Sequence, residues 1–117
     1  MMWYQRKGNK YNNVSSTVNG IQYHSKKEAA FAAELELRRK AGDIKDWERQ
    51  YKISLDVNGF HIANYYIDFV IHHNDGLQEF TEIKGFETEV WRLKWKLAEA
   101  LLDEQIKNGE IKLTLIK

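Results

Sequence analysis

From Trp47 to Lys84 the chain changes from helical spacing of apolar residues to strand-like alternation, with helical patterns before and after it. Ser25-Lys26-Lys27-Glu28 has the form of a capping box and opens a helix rich in alanine, leucine, glutamate and arginine. Ala41-Gly42 ends that helix, and Arg38, Arg39 and Lys40 sit in its last turn, where the helix dipole favours cations. Two strands follow, Gln50 to Val57 and Phe60 to Ile71, joined by Asn58-Gly59, a pair suited to the positive φ of a type I′ turn. Asn74-Asp75-Gly76 leads into a third strand, Leu77 to Lys84, which Gly85 breaks. A long helix is predicted from about Thr88 to Lys107, stopped by Asn108-Gly109, and Ile111 to Ile116 closes as a strand. A small hairpin around Asn19-Gly20, from Thr17 to Tyr23, precedes it all. The main order is α-β-β-β-α-β, an α/β (α+β) fold of one domain.

The 117 residues are enough for one domain with its own core. Residues 1–16 are polar and read as a flexible arm carrying Arg6, Lys7 and Lys10, with the folded domain spanning residues 17–117. There is no cysteine, which excludes disulfides and thiolate metal sites and fits a reducing cytoplasm. No apolar run is long enough to cross a bilayer, and the N-terminus lacks the apolar core of a signal peptide. The net charge of +1 is not the basic excess of a protein that holds nucleic acid by charge alone. The cations are nevertheless clustered, in the arm, at both ends of the first helix, and at Arg92, Lys94 and Lys96.

The chemistry suggested by the strands lies in Asp68 and in Glu82-Ile83-Lys84. Strand alternation puts Glu82 and Lys84 on one face and turns Ile83 to the other. Asp68 arrives on the preceding strand among Tyr65, Tyr66, Ile67, Phe69 and Val70, where an unpaired carboxylate is costly to bury. Two carboxylates, with the Ile83 carbonyl as a third oxygen, are hard ligands suited to Mg²⁺, with Mn²⁺ able to substitute. A lysine beside them can orient a water or stabilise charge on a phosphate. Taken alone, Glu82 and Lys84 also fit a solvated strand face with an ion pair.

Asp68 with Glu82-Ile83-Lys84 resembles the signature of the PD-(D/E)XK, or restriction-endonuclease-like, nuclease superfamily, and the resemblance implies a mixed central sheet flanked by helices in the same α-β-β-β-α-β order. The stretch from Gly20 to Lys96 is more specifically similar to small phage proteins related to Holliday junction resolvases. It does so through Gly20-Ile21, Tyr23, Ser25-Lys26, Glu28, Ala41-Gly42, Ile44, Gln50, Tyr66 to Phe69, Glu82 to Gly85, and Leu93-Lys94 with Lys96. Ile67 stands where the superfamily's name has proline. The resemblance implies a Mg²⁺-dependent endonuclease acting on DNA, branched DNA foremost, as a homodimer and, if phage-encoded, in the cytoplasm of a bacterial host. It implies Glu28, Asp68 and Glu82 as metal ligands, Lys84 as the water's assistant, and Lys94 against the nucleic acid. Arg6, Lys7 and Lys10 lie before the similar stretch, and their clustering fits a DNA-tracking arm and a solvated tail equally. The same fold also serves restriction, repair and transposon-end nucleases, and a DNA-binding module without turnover; RNA is an open alternative as substrate.

Several residues have competing structural explanations. Glu28 can simply complete the capping box, and Glu34 is better placed to pair with Arg38. Lys94 projects from an apolar face expected to comprise Val90, Leu93, Leu97, Ala98, Leu101 and Leu102, so it must snorkel to an opening. Gln50 is expected to be an ordinary strand-end amide, and Trp91 and Trp95 to pack in a core or a dimer contact. His72 and His73 are adjacent on a strand and point oppositely, which disfavours joint chelation.

Overall fold

In the computed structural model, residues 16–18, 21–23 and 25–117 are described, with side chains from Ser25 onward. The arm residues Arg6, Lys7 and Lys10 lie outside them. The chain divides into two compact units, Met1–Ala41 and Gly42–Lys117. In the first, β1 (Ser16–Val18) and β2 (Ile21–Tyr23) pair antiparallel, and α1 (Lys26–Lys40) follows. The Ser25 hydroxyl accepts the Glu28 amide at 3.1 Å, the capping contact expected from the sequence. Ala29, Ala32 and Leu35 form the buried stripe of α1.

The second unit is a four-stranded sheet in the order β3-β4-β5-β6. β3 (Asp46–Val57) and β4 (Phe60–His72) are antiparallel, as are β4 and β5 (Gln78–Ile83), while β5 and β6 (Ile111–Ile116) are parallel. The parallel step needs a crossover, and α2 (Glu89–Leu101) with α3 (Asp103–Lys107) supplies it. This is a mixed α+β arrangement, and from α1 onward its elements follow one another along the chain in the predicted α-β-β-β-α-β order, with the second helix divided in two. β3 starts at Asp46, before the predicted Gln50, because Asp46 to Arg49 pair with His72 to Phe69. The β3–β4 turn places Asn58 at φ 52° and Gly59 at φ 83°, as an Asn-Gly hairpin requires.

The long second helix is divided at Leu102, whose φ of −99° and ψ of 10° leave the helical region. Leu102 packs against the core there, and α3 begins beyond it. The predicted apolar face of α2 is also corrected. Trp91 and Ala98 are its buried residues, with Lys94, Trp95, Leu97 and Leu102 partly buried. Val90 and Leu93 are instead 65 % and 69 % exposed. The face is set by Trp91, whose large ring and single N–H donor both find partners inside.

The core under α2 contains Leu55, Tyr65, Ile67, Val70, Phe80, Trp91 and Ala98. Along β4 its members step from Tyr65 to Ile67 and then to Val70, so strict alternation fails between Ile67 and Val70. Phe69 and Ile71 are buried outside this cluster, Phe69 against Trp47 with ring centroids 6.0 Å apart. The change of face coincides with Gln50, which has φ 50° and sits between the pairs Arg49–Phe69 and Tyr51–Ile67, at the register position of Asp68.

Candidate active site

The β4–β5 ladder ends at the pair Phe69–Thr81. One residue further, Asp68 and Glu82 replace the backbone ladder with side-chain bonds. The Asp68 amide donates to Glu82 Oε1 at 2.7 Å, and the Ile83 amide donates to Asp68 Oδ2 at 2.9 Å. Each carboxylate therefore bonds a strand amide across the gap, bringing two acidic groups together. Asp68 is half-buried and Glu82 only 2 % exposed.

Trp91 closes the other side of Glu82. Its indole N–H is 2.7 Å from Glu82 Oε2 and 2.9 Å from the Tyr65 hydroxyl. The Thr88 hydroxyl caps α2 by accepting the Trp91 amide at 3.1 Å, fixing the first turn that presents this ring. Lys84, the residue after the end of β5 and so just outside the strand predicted to include it, holds its Nζ 5.3 Å from the Trp91 ring centroid. Glu82 and Lys84 thus meet the same tryptophan, one at its N–H and the other over its ring. The sequence placed these two residues on a shared face; the part of Trp91 was missed, because nothing in its helical spacing shows which strand it reaches.

Burial first, then the negative charge of Asp68, pushes the Glu82 carboxyl up to about 7. The Asp68 amide, Trp91 and Lys84 act the other way without cancelling these effects. Burial, and after it Glu82, also raises the Tyr65 phenol above its usual range. Glu82 is consequently poised to exchange a proton near neutrality, whereas a solvated strand-face glutamate would not be. The wet-face alternative for Glu82 does not hold.

Lys94 is half-buried on the inward side of α2, and its Nζ donates to the Asn64 carbonyl at 3.1 Å. It snorkels as expected, to the backbone of β4 rather than to a carboxylate. Glu28 is in the first turn of α1, in the other compact unit. His72 and His73 bind different acids, Glu48 at 2.6 Å and Glu79 at 2.8 Å, in keeping with their opposed directions. Gln50 is not the ordinary amide expected: its backbone is left-handed, and its Oε1 is buried without a hydrogen-bond partner.

A groove of about 750 Å³ runs along α2 past Val90, Trp91, Leu93, Trp95 and Leu115, without including Asp68 or Glu82. No helix among the described residues is long and apolar enough to cross a membrane. The described residues also contain no cluster of three or more His, Cys, Asp or Glu side chains arranged to hold a metal ion.

Fold and site together define a small mixed α+β domain with paired carboxylates where two strands part. The chain belongs to the family described as "Protein of unknown function (DUF1064)", which matches residues 8–116. No curated protein and no solved structure matches it.

Proposed function

We propose that the chain is a metal-dependent endonuclease of the PD-(D/E)XK type, hydrolysing phosphodiester bonds in DNA, with branched DNA the foremost substrate. The observation that carries this reading is the Asp68–Glu82 pair at the end of the β4–β5 ladder, with Lys84 the first residue after β5. Two acids share a poorly solvated place, and their repulsion contributes to the raised Glu82 pKa. A divalent cation would neutralise that repulsion.

The donor set fits Mg²⁺, which commonly takes one or two carboxylates and completes its shell with water and phosphate. A carboxylate oxygen has two lone pairs, so the hydrogen bonds to Asp68 and Glu82 leave acceptor capacity. Asp68 and Glu82 would hold the ion, with the Ile83 carbonyl as a further oxygen; Mn²⁺ would substitute. The ion would supply charge neutralisation and an acidified water. Lys84, retained over the Trp91 ring, places a positive charge beside Glu82 for a phosphate oxygen or the attacking water. Glu28 enters the proposal from the family resemblance alone, and the arm cations Arg6, Lys7 and Lys10 enter it from their clustering in the sequence alone.

Cutting paired strands of a junction requires two sites, and one chain offers one, which supports a homodimer. Exposed Val90 and Leu93, a turn apart on α2, are apolar surface that such an association can cover. Lys94 is assigned to phosphate contact near the β3–β4 hairpin.

A second reading is a DNA-binding module without turnover. It is favoured by the protein bonds already made by both Glu82 oxygens and by Asp68 Oδ2, which give the acids a structural task. Supercoiled, linear and four-way junction DNA, each incubated with Mg²⁺ and with EDTA, separate the readings. Metal-dependent cleavage that disappears in Asp68→Ala and Lys84→Ala, with folding and DNA binding kept, supports the nuclease. Binding without cleavage supports the module.

A further inference from the structure

Gln50 combines two unfavourable features at one position. A non-glycine residue with φ 50° occupies backbone space that glycine or asparagine enters more easily. Its side-chain oxygen is also buried with no hydrogen-bond partner. Neither feature is needed for the hairpin, whose turn lies at Asn58-Gly59, several residues away. Glycine would preserve the bend and remove the orphaned oxygen. A position that keeps a long carboxamide under both costs is a candidate for a ligand contact.

The register says which ligand. Gln50 stands between Arg49, paired with Phe69, and Tyr51, paired with Ile67, and thus at the position of Asp68 on the neighbouring strand. On its other side, Asp68 meets Glu82. The carboxamide therefore lies on the strand next to the acidic pair and is neutral, adding no repulsion to the two acids. It can accept through oxygen and donate through nitrogen at once. Its Oε1, buried without a partner, has no hydrogen bond to lose on turning towards a bound molecule.

We propose that Gln50 is a catalytic residue of the nuclease site, orienting the attacking water; this rests on the nuclease reading above. Oε1 accepts a hydrogen bond from the water, while Nε2 donates to a non-bridging oxygen of the scissile phosphate. The water oxygen forms the new P–O bond, and the bond to the leaving sugar oxygen breaks with its electron pair. A proton from the water reaches that oxygen through solvent, leaving a phosphate monoester and an alcohol. Gln50 gains and loses no atom.

The test is Gln50→Gly in the full chain, compared with wild type for melting temperature, junction affinity in EDTA, and single-turnover cleavage with Mg²⁺. The expected result is a melting temperature equal to or above wild type, because the bend is then unstrained. Affinity should stay within about twofold and the cleavage rate fall at least about tenfold. An unchanged rate overturns the role of Gln50 and leaves the nuclease reading standing. So does a lowered melting temperature with a rate loss that tracks unfolding, or a loss confined to affinity. Absence of cleavage by wild type in Mg²⁺ and Mn²⁺ overturns the nuclease reading and this inference with it.

Discussion

Glu82 couples its protonation to folding. Its carboxyl titrates near 7 in the folded chain, against about 4.3 when unfolded. Between these values the native state retains a proton that the unfolded state has released, so stability falls as pH rises through this window. Below the unfolded value the contribution is fully present; above about 7 it is lost. The difference is on the order of 3 kcal/mol. Urea unfolding of the metal-free chain from pH 4.5 to 8 should show this decline, and Glu82→Gln should flatten it. The variant's absolute stability is a separate matter, because an amide nitrogen cannot accept from both the Asp68 amide and the Trp91 indole. Trp91→Phe should remove the indole donor from Glu82 and Tyr65 while keeping most of the ring; it should cost about 1–3 kcal/mol in thermal unfolding. Thr81, fully buried beside Glu82 with an unpartnered hydroxyl, provides the opposite case. Thr81→Val should be neutral or stabilising by up to about 1 kcal/mol, read by melting temperature. A clear loss of stability there would mean that the hydroxyl has a partner after all.

At the level of elements, the β3–β4 hairpin carries the site because β4 contributes Asp68 while β3 opposes it with Gln50. The turn that sets this register depends on Gly59 at φ 83°, where an added Cβ would meet no atom within 4 Å. The cost of Gly59→Ala is therefore conformational alone, about 1–2 kcal/mol, with no steric part. Denaturant titration should find that loss with an unchanged m-value. Much of this element was legible in advance: Asn58-Gly59 and the alternation around it predict both strands and their turn. The second helix was less so. Its wheel put Val90 and Leu93 inward, but a heptad of mixed apolar and basic residues has several nearly equal apolar faces. Contact between Trp91, Tyr65 and Glu82 selects among them, and those partners lie on other elements.

For the whole molecule, the proposed cation between Asp68 and Glu82 would stabilise only the folded chain, since the acids meet only there. At pH 8, Mg²⁺ should raise the melting temperature of wild type in a concentration-dependent way and leave Asp68→Ala unmoved. Equal shifts in both would place any metal effect elsewhere. Homodimer formation through α2 is checked by sedimentation of wild type and Leu93→Glu, the expected outcome being a dimer that the exposed charge dissociates.

Strand and helix order, the Asn-Gly turn and the grouping of Asp68 with Glu82-Ile83-Lys84 follow from local spacing, which the one-dimensional chain contains. Side-chain alternation is a property of each strand by itself, so Glu82 and Lys84 could be put on one face before any packing was known. The tertiary structure alone decided how the acids are held. It set the crossed carboxylate–amide bonds where the ladder ends and the Trp91 indole on Glu82. It also set the burial that lifts the Glu82 pKa, and the left-handed backbone of Gln50 at the register position of Asp68. Each of these is a relation between residues distant in sequence, fixed by strand register and by desolvation, and neither can be computed from spacing along one element.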